Sequence, residues 1–186
     1  MIRSRVPGRA LVFTVAGPHG SGRTTQAKLL AEAFNLRYVS TGTIFRDRAA
    51  ELGLSVDELN VRSKTDPGFD KWLDDRACEE TRRGGVVLDA TLSGWVADRP
   101  DLRFYLHAPF DVRVRRIADR EGFSVARAEE ETRVREAAEK ERFKKFYGVD
   151  IDDTSIYDVS VNTFLFGIAA CANILKNAAD QYLNCE

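Results

Sequence analysis

The sequence is short of cysteine, of long apolar runs and of net charge. Its three cysteines, Cys78, Cys171 and Cys185, have neither C-x-x-C nor C-x-H spacing, which excludes a cysteine-based zinc site and a disulfide scaffold. They read as free thiols in a reducing cytoplasm, so a cytoplasmic protein is expected. No apolar run approaches the ~18 residues that a membrane span needs, and no membrane partner is expected. The stretch "ALVFTVA" (10–16) behind a basic N-terminus has the outline of a signal peptide, yet it runs into a glycine-rich turn without a small-residue cleavage site. It reads as a buried strand. The formal net charge is -1, so any anion site must be local. Basic residues are interleaved with acids and lack an aromatic stacking stripe, which argues against a nucleic-acid partner. Internal repeats and low-complexity linkers are also missing.

What is present suits a single α/β domain. The chain has 186 residues, 44% hydrophobic and 31% charged, enough for one sizeable core and too few for two ordinary ones. Most of its 28 basic residues are arginine, whose planar fork grips phosphate in a way that lysine does not. The continuous apolar run at 10–16 reads as a buried parallel strand, 85–90 and 103–108 as two further buried strands, with shorter strands at 37–40 and 158–163. Helical spacing covers 25–34, 43–52, 55–64 and 68–82, and an amphipathic helix is expected over 165–183. Ser55 and Glu58 form an S-x-x-E capping box, and Pro67 and Gly68 break the pattern after it.

The chemistry concentrates in "GPHGSGRTT", Gly17 to Thr25. The spacing follows the Walker A pattern G-x-x-x-x-G-K-[ST], with Gly17, Gly22 and Thr24 in place and Arg23 where the pattern has lysine. Glycines let successive N–H groups turn toward one phosphate, and the helix opening near Gly22 adds its positive end. Gly17, Pro18, His19, Gly20, Ser21, Gly22, Arg23, Thr24 and Thr25 are therefore expected to bind ATP phosphates, with His19 acting as a spacer. Thr24 offers a hydroxyl to Mg²⁺. Asp89, ending the run "VVLD", is the matching strand-end acid for the same ion. In "VSTGTIFR" (39–46) a strand ends, Gly42 turns and a helix starts, which sets Arg46 near the strands' carboxyl edge for a second phosphate. The segment 111–147 is long, helical and densely charged with both signs. It reads either as a solvated helix surface laced with ion pairs or as a lid whose arginines reach phosphates; the arginine spacing favours the lid.

Together with "STGTIFR", "VVLDATLSGW", "RVRRIADREG", "REAAEKERFKKFYGVDIDD" and "SIYDVSVNT", in that order, the loop resembles the archaeal type of cytidylate kinase over roughly residues 10–180. The resemblance implies a P-loop NTPase fold, a five-stranded parallel sheet in order 2-3-1-4-5 flanked by helices. It implies one kinase domain over 1–186, with core segments 10–42, 84–110 and 156–183, a monophosphate-binding region at 43–83 and a lid at 111–150. The implied reaction is Mg²⁺-dependent transfer of the ATP γ-phosphoryl group to CMP or dCMP, by a monomer or small homo-oligomer. Thr41, Arg46, Thr91, Gly94, Arg135 and Arg142 would face the acceptor nucleotide. Arg23, Arg116, Arg120 and Arg135 would act on the transferring group. No dedicated general base is expected, because the acceptor phosphate is already a nucleophile.

Two departures stand out. One is Arg23. The other is Thr91: where many relatives read like "EGRLSGW", this chain reads "DATLSGW", so Thr91 replaces an arginine expected to help hold the acceptor. Arg99 is near enough in sequence to compensate. Two alternatives stay open on these grounds: a kinase of another acceptor such as AMP, and a nucleotide-binding protein with weak or no turnover.

Overall fold

The computed structural model describes residues 9–63, 66 and 68–184. Pro67, the end of the helix expected at 55–64, and Cys185 lie outside them. The elements in chain order are β1 (Val12–Ala16), α1 (Arg23–Ala33), β2 (Arg37–Ser40), α2 (Thr41–Glu51), α3 (Val56–Ser63), α4 (Phe69–Arg83), β3 (Val86–Asp89), α5 (Ser93–Val96), β4 (Leu102–His107), α6 (Phe110–Glu121), α7 (Val125–Tyr147), β5 (Val159–Asn162) and α8 (Ile168–Asn184). The strands form one sheet in order β2-β3-β1-β4-β5, and every pairing is parallel.

Parallel strands need crossover connections, and these put helices on both faces of the sheet. That is why β1 is buried at every position and reads as an unbroken apolar run. On one face α1 and α8 pack through Ala27, Leu30, Leu175 and Ala179 onto Phe13, Val15, Phe104 and Leu106. On the other, Ile44 of α2 and Ala77 of α4 meet Leu88 of β3. Phe13 lies at the centre, fully buried, with edge-on contacts to Phe34 and Phe104 at ring-centroid distances of 5.4 and 6.1 Å.

Three differences from the expected boundaries bear on the site. Helix α2 begins at Thr41, so Gly42 lies inside its first turn rather than in a turn before it. The cause is Ser40: its Oγ accepts from Thr43 N–H at 3.0 Å, while Thr43 Oγ1 accepts from Ser40 N–H at 2.8 Å. The charged segment 111–147 is two helices, because Gly122 adopts left-handed φ 69° to close α6 and Ser124 caps α7. Helix α8 starts at Ile168, which leaves residues 163–167 as a loop beside the start of α1.

Removing the Phe13 ring would leave a cavity between α1, α8 and the sheet. Phe13→Ala is expected to lower unfolding stability by about 3–5 kcal/mol in chemical denaturation.

Candidate active site

The loop between β1 and α1 is shaped by its neighbours. Gly17 has φ 137°, and a Cβ there would lie 1.9 Å from the carbonyl oxygen of Leu106. Gly20 has φ 77°, and a Cβ there would lie 2.6 Å from the carbonyl oxygen of Arg113. The loop is pressed onto β4 and α6, and only glycine fits at both points. Four of its carbonyls are claimed from outside. Arg23 Nη1 donates to Gly17 at 2.6 Å, Arg113 Nη1 to His19 at 2.8 Å, Arg116 Nη1 to Gly20 at 3.3 Å and Thr163 Oγ1 to Ser21 at 2.8 Å. With the oxygens drawn off, N–H groups remain, including the first ones of α1, which have no intrahelical partner. That is an anion cradle at the positive end of a helix.

Beside the cradle stands Asp89, only 3% exposed. Its Oδ2 accepts from Thr24 Oγ1 at 2.8 Å and from the Tyr38 hydroxyl at 3.0 Å. Its Oδ1 is buried without a hydrogen bond and lies 3.4 Å from Arg23 Nε. Burial raises the Tyr38 phenol pKa above its ordinary value, with the Asp89 charge adding to the rise, so Tyr38 stays a donor. A hydroxyl and a carboxylate oxygen lacking a hydrogen bond fit a magnesium ion that takes most of its ligands from phosphates and water. Among the described residues no group of three or more His, Cys, Asp or Glu side chains converges, so the protein alone supplies no full coordination cage.

Next to the cradle lies a cavity of about 580 Å³ between the loop, α2, α4 and α7. Five arginines line it, Arg23, Arg46, Arg120, Arg135 and Arg142, against the carboxylates Asp70, Asp74 and Glu139. The Arg46 guanidinium lies over Gly42, where a Cβ would come within 3.5 Å of Nη1. Phe45, Phe69 and Leu73 form an apolar wall, with Phe45 and Phe69 packed edge to face. Helix α7 is tied to both sides of this cavity. His19 Nε2 sits 3.0 Å from each Glu139 oxygen, Arg142 Nη1 donates to Asp70 at 2.8 Å, and the Tyr147 hydroxyl donates to Asp74 at 2.6 Å. Burial pushes the Glu139 carboxyl up, but the His19 hydrogen bond and the charges of His19, Arg135 and Arg142 outweigh it and hold the group below its ordinary value. At Asp74 burial wins over Tyr147 and Arg142, and the carboxyl is raised.

The structure thus brings His19, Arg23, Thr41, Arg46, Thr91, Arg120, Arg135 and Arg142 to one cavity. Arg116 is elsewhere: it braces the cradle from behind and lines a separate cavity of about 380 Å³ with Gly22, Thr25, Thr163, Phe166 and Ile168. Gly94 is buried under Tyr157, where a Cβ would lie 2.6 Å from a ring carbon, and does not line the arginine cavity. Arg99 cannot compensate for Thr91. It precedes β4, two residues before Asp101, whose N–H bonds the carbonyl of Val12 at the first residue of β1, the amino end of the strands and the opposite end from the cradle. Arg23 itself reaches Thr91, with Nη1 2.9 Å from Oγ1. Sequence reading missed Tyr38, Arg113, Glu139 and Thr163. Thr163, just past the end of a strand as Asp89 ends another, carried a usable signal; Glu139 is one acid among many on a charged helix.

A glycine-rich cradle at the carboxyl edge of a 2-3-1-4-5 parallel sheet places the chain among the P-loop kinase folds. Solved structures agree on the fold: shikimate kinase from Bacteroides thetaiotaomicron has a TM-score of 0.62 at 16% identity, covering 91% of this chain and 98% of that one. Shikimate kinase from Acinetobacter baumannii in complex with shikimate has a TM-score of 0.62 at 14% identity, covering 95% and 96%. Sequence relatives are more specific. A cytidylate kinase of Staphylothermus marinus is 41% identical over 93% of this chain and 98% of its own length. One of Ignicoccus hospitalis is 45% identical over 89% and 96%. Residues 83–164 match the cytidylate kinase-like family. The chain belongs to the cytidylate kinase family.

The His19–Glu139 tie makes a pH prediction. A carboxyl held below its ordinary 4.5 in the fold stabilises it above that pH, and the contribution is lost as pH falls through the folded value. Glu139→Gln is therefore expected to lower the urea midpoint at pH 7, with the deficit against the native chain shrinking below about pH 4.5.

Proposed function

We propose that the chain transfers the γ-phosphoryl group of ATP to CMP or dCMP. The observation that carries the reading is the arginine-lined cavity opening beside the cradle, with Arg23 at their junction. Two phosphorylated ligands can meet there. The ATP phosphates occupy the N–H groups of Gly17–Thr25, and its base extends toward Phe166 and Ile168 in the cavity that Arg116 lines. Mg²⁺, held by Thr24, Asp89 and the phosphates, would neutralise charge on the donor. The acceptor phosphate rests on Arg46 and Thr41 at the start of α2. Its base lies against Phe69 and Leu73, with Asp70 and Asp74 at its edge. Cytosine presents an amino donor that a carboxylate accepts, whereas the corresponding carbonyl of uracil would face a carboxylate without a proton between them.

In the transfer an oxygen of the acceptor phosphate attacks the γ-phosphorus, the bond from that phosphorus to the β–γ bridging oxygen breaks, and ADP and a cytidine diphosphate leave. The protein contributes position and charge. Arg23, Arg120 and Arg135 surround the space between the two nucleotides, and α7 shuts out the water that would otherwise take the phosphoryl group.

A coupled ADP-release assay over a panel of monophosphates tests this. CMP and dCMP are expected to turn over faster than AMP, GMP and UMP, with a margin of at least about tenfold over UMP, whose base lacks the amine that the carboxylates would pair. Equal rates with AMP and CMP would overturn the acceptor assignment. ATP binding with no ADP formed from any acceptor would make the chain a nucleotide-binding module.

A further inference from the structure

We infer that Thr91 is a positioning residue for Arg23, and that the two form one device coupling the donor loop to the acceptor cavity. The inference rests on the kinase reading above and assigns a role inside it. In the Walker A pattern the cation is a lysine, a compact charge on a flexible stem. A guanidinium is flat and has five donors, so it acts well only when its plane is fixed. Here the plane is fixed from three sides. Nη1 donates to the Gly17 carbonyl at 2.6 Å and to Thr91 Oγ1 at 2.9 Å, and Nε faces Asp89 Oδ1 at 3.4 Å. These contacts use Nη1 and Nε, which leaves Nη2 for a phosphate oxygen.

The three anchors come from different parts of the site: the first residue of the cradle, the end of β3 and the loop after it. Thr91 is the one that leads toward the acceptor, since it lines both the 580 Å³ arginine cavity and a neighbouring cavity of about 380 Å³ with Gly17, Pro18 and His19. Without its hydroxyl, Arg23 keeps the Gly17 carbonyl but loses its hold on the acceptor side. A lysine stem ends one bond short of Nη1, so its ammonium does not arrive where Nη1 meets the Gly17 carbonyl and Thr91 Oγ1 together. Thr91 therefore matters through Arg23, and its hydroxyl should be worth little when Arg23 is gone.

A double-mutant cycle on the full chain reads this directly, with Thr91→Val, Arg23→Lys, the double variant and Thr91→Ser. Thr91→Val keeps the side-chain shape and removes the hydroxyl. It is expected to lower kcat with CMP about tenfold while the KM for CMP changes less than about twofold. Thr91→Ser, which keeps the hydroxyl, is expected to restore the rate to within about threefold of native. In the Arg23→Lys background, Thr91→Val is expected to change kcat by less than about twofold. Equal losses in the two backgrounds would overturn the inference, as would a raised KM at unchanged kcat, which would make Thr91 a direct acceptor contact. If the native chain turned over no monophosphate, the kinase reading would fail by itself. The cycle would then be read in ATP affinity by calorimetry, where non-additive losses support the pair and additive losses overturn it.

Discussion

A loop that presents N–H groups to a phosphate must dispose of its own carbonyls, because a buried polar group without a partner is expensive. Most of this site is arranged around that constraint. The oxygens of Gly17, His19, Gly20 and Ser21 are taken by Arg23, Arg113, Arg116 and Thr163, which come from α1, α6 and the residue after β5. The sheet order places β4 and the start of α6 where they press on Gly17 and Gly20. Three of the arginines are thus structural in their immediate effect: they fix the backbone of the loop. Arg23 serves both ends, holding the loop through Gly17 and presenting charge to the cavity beyond.

Side-chain contacts likewise hold α7 in place. Helix α7 is held by one tie to the cradle, His19–Glu139, and by two to α4, Arg142–Asp70 and Tyr147–Asp74. Arg142 and Asp70 are 32% and 48% exposed as side chains, and such partly solvated ion pairs contribute about 0–1 kcal/mol each. The cavity beside them is apolar on one side and carboxylate on the other.

The fold was legible because its signals are local. Apolar runs marked β1 and β3, an aromatic-rich segment marked β4, and the glycine spacing marked the cradle. The Ser55–Glu58 box forms as the motif implies, with Ser55 N–H donating to Glu58 Oε2 at 2.7 Å. What sequence could not supply was side-chain direction over long separations. Arg113, Arg116 and Arg120 sit within eight residues of one helix, yet one bonds the carbonyl of His19, the next that of Gly20, and the third lines the arginine cavity. The three share one helix face, and the rise of about 1.5 Å per residue strings them out along the cradle and into the cavity, so their separate targets depend on where that face docks. Arg99 failed for a related reason: proximity to Thr91 along the chain put it at the other end of the strands. The partner of Thr91 proved to be Arg23, the other departure from the expected pattern, joined to it across 68 residues.

The proposed transfer depends on Arg23 as the cation that would serve the moving phosphoryl group. Its most direct test is the steady-state turnover of CMP by Arg23→Ala, alongside the melting temperature without nucleotide. Arginine contacts to a moving phosphoryl group are worth on the order of 10³-fold or more, and a loss of about that size in a folded variant is expected. Turnover equal to that of the native chain would contradict the account.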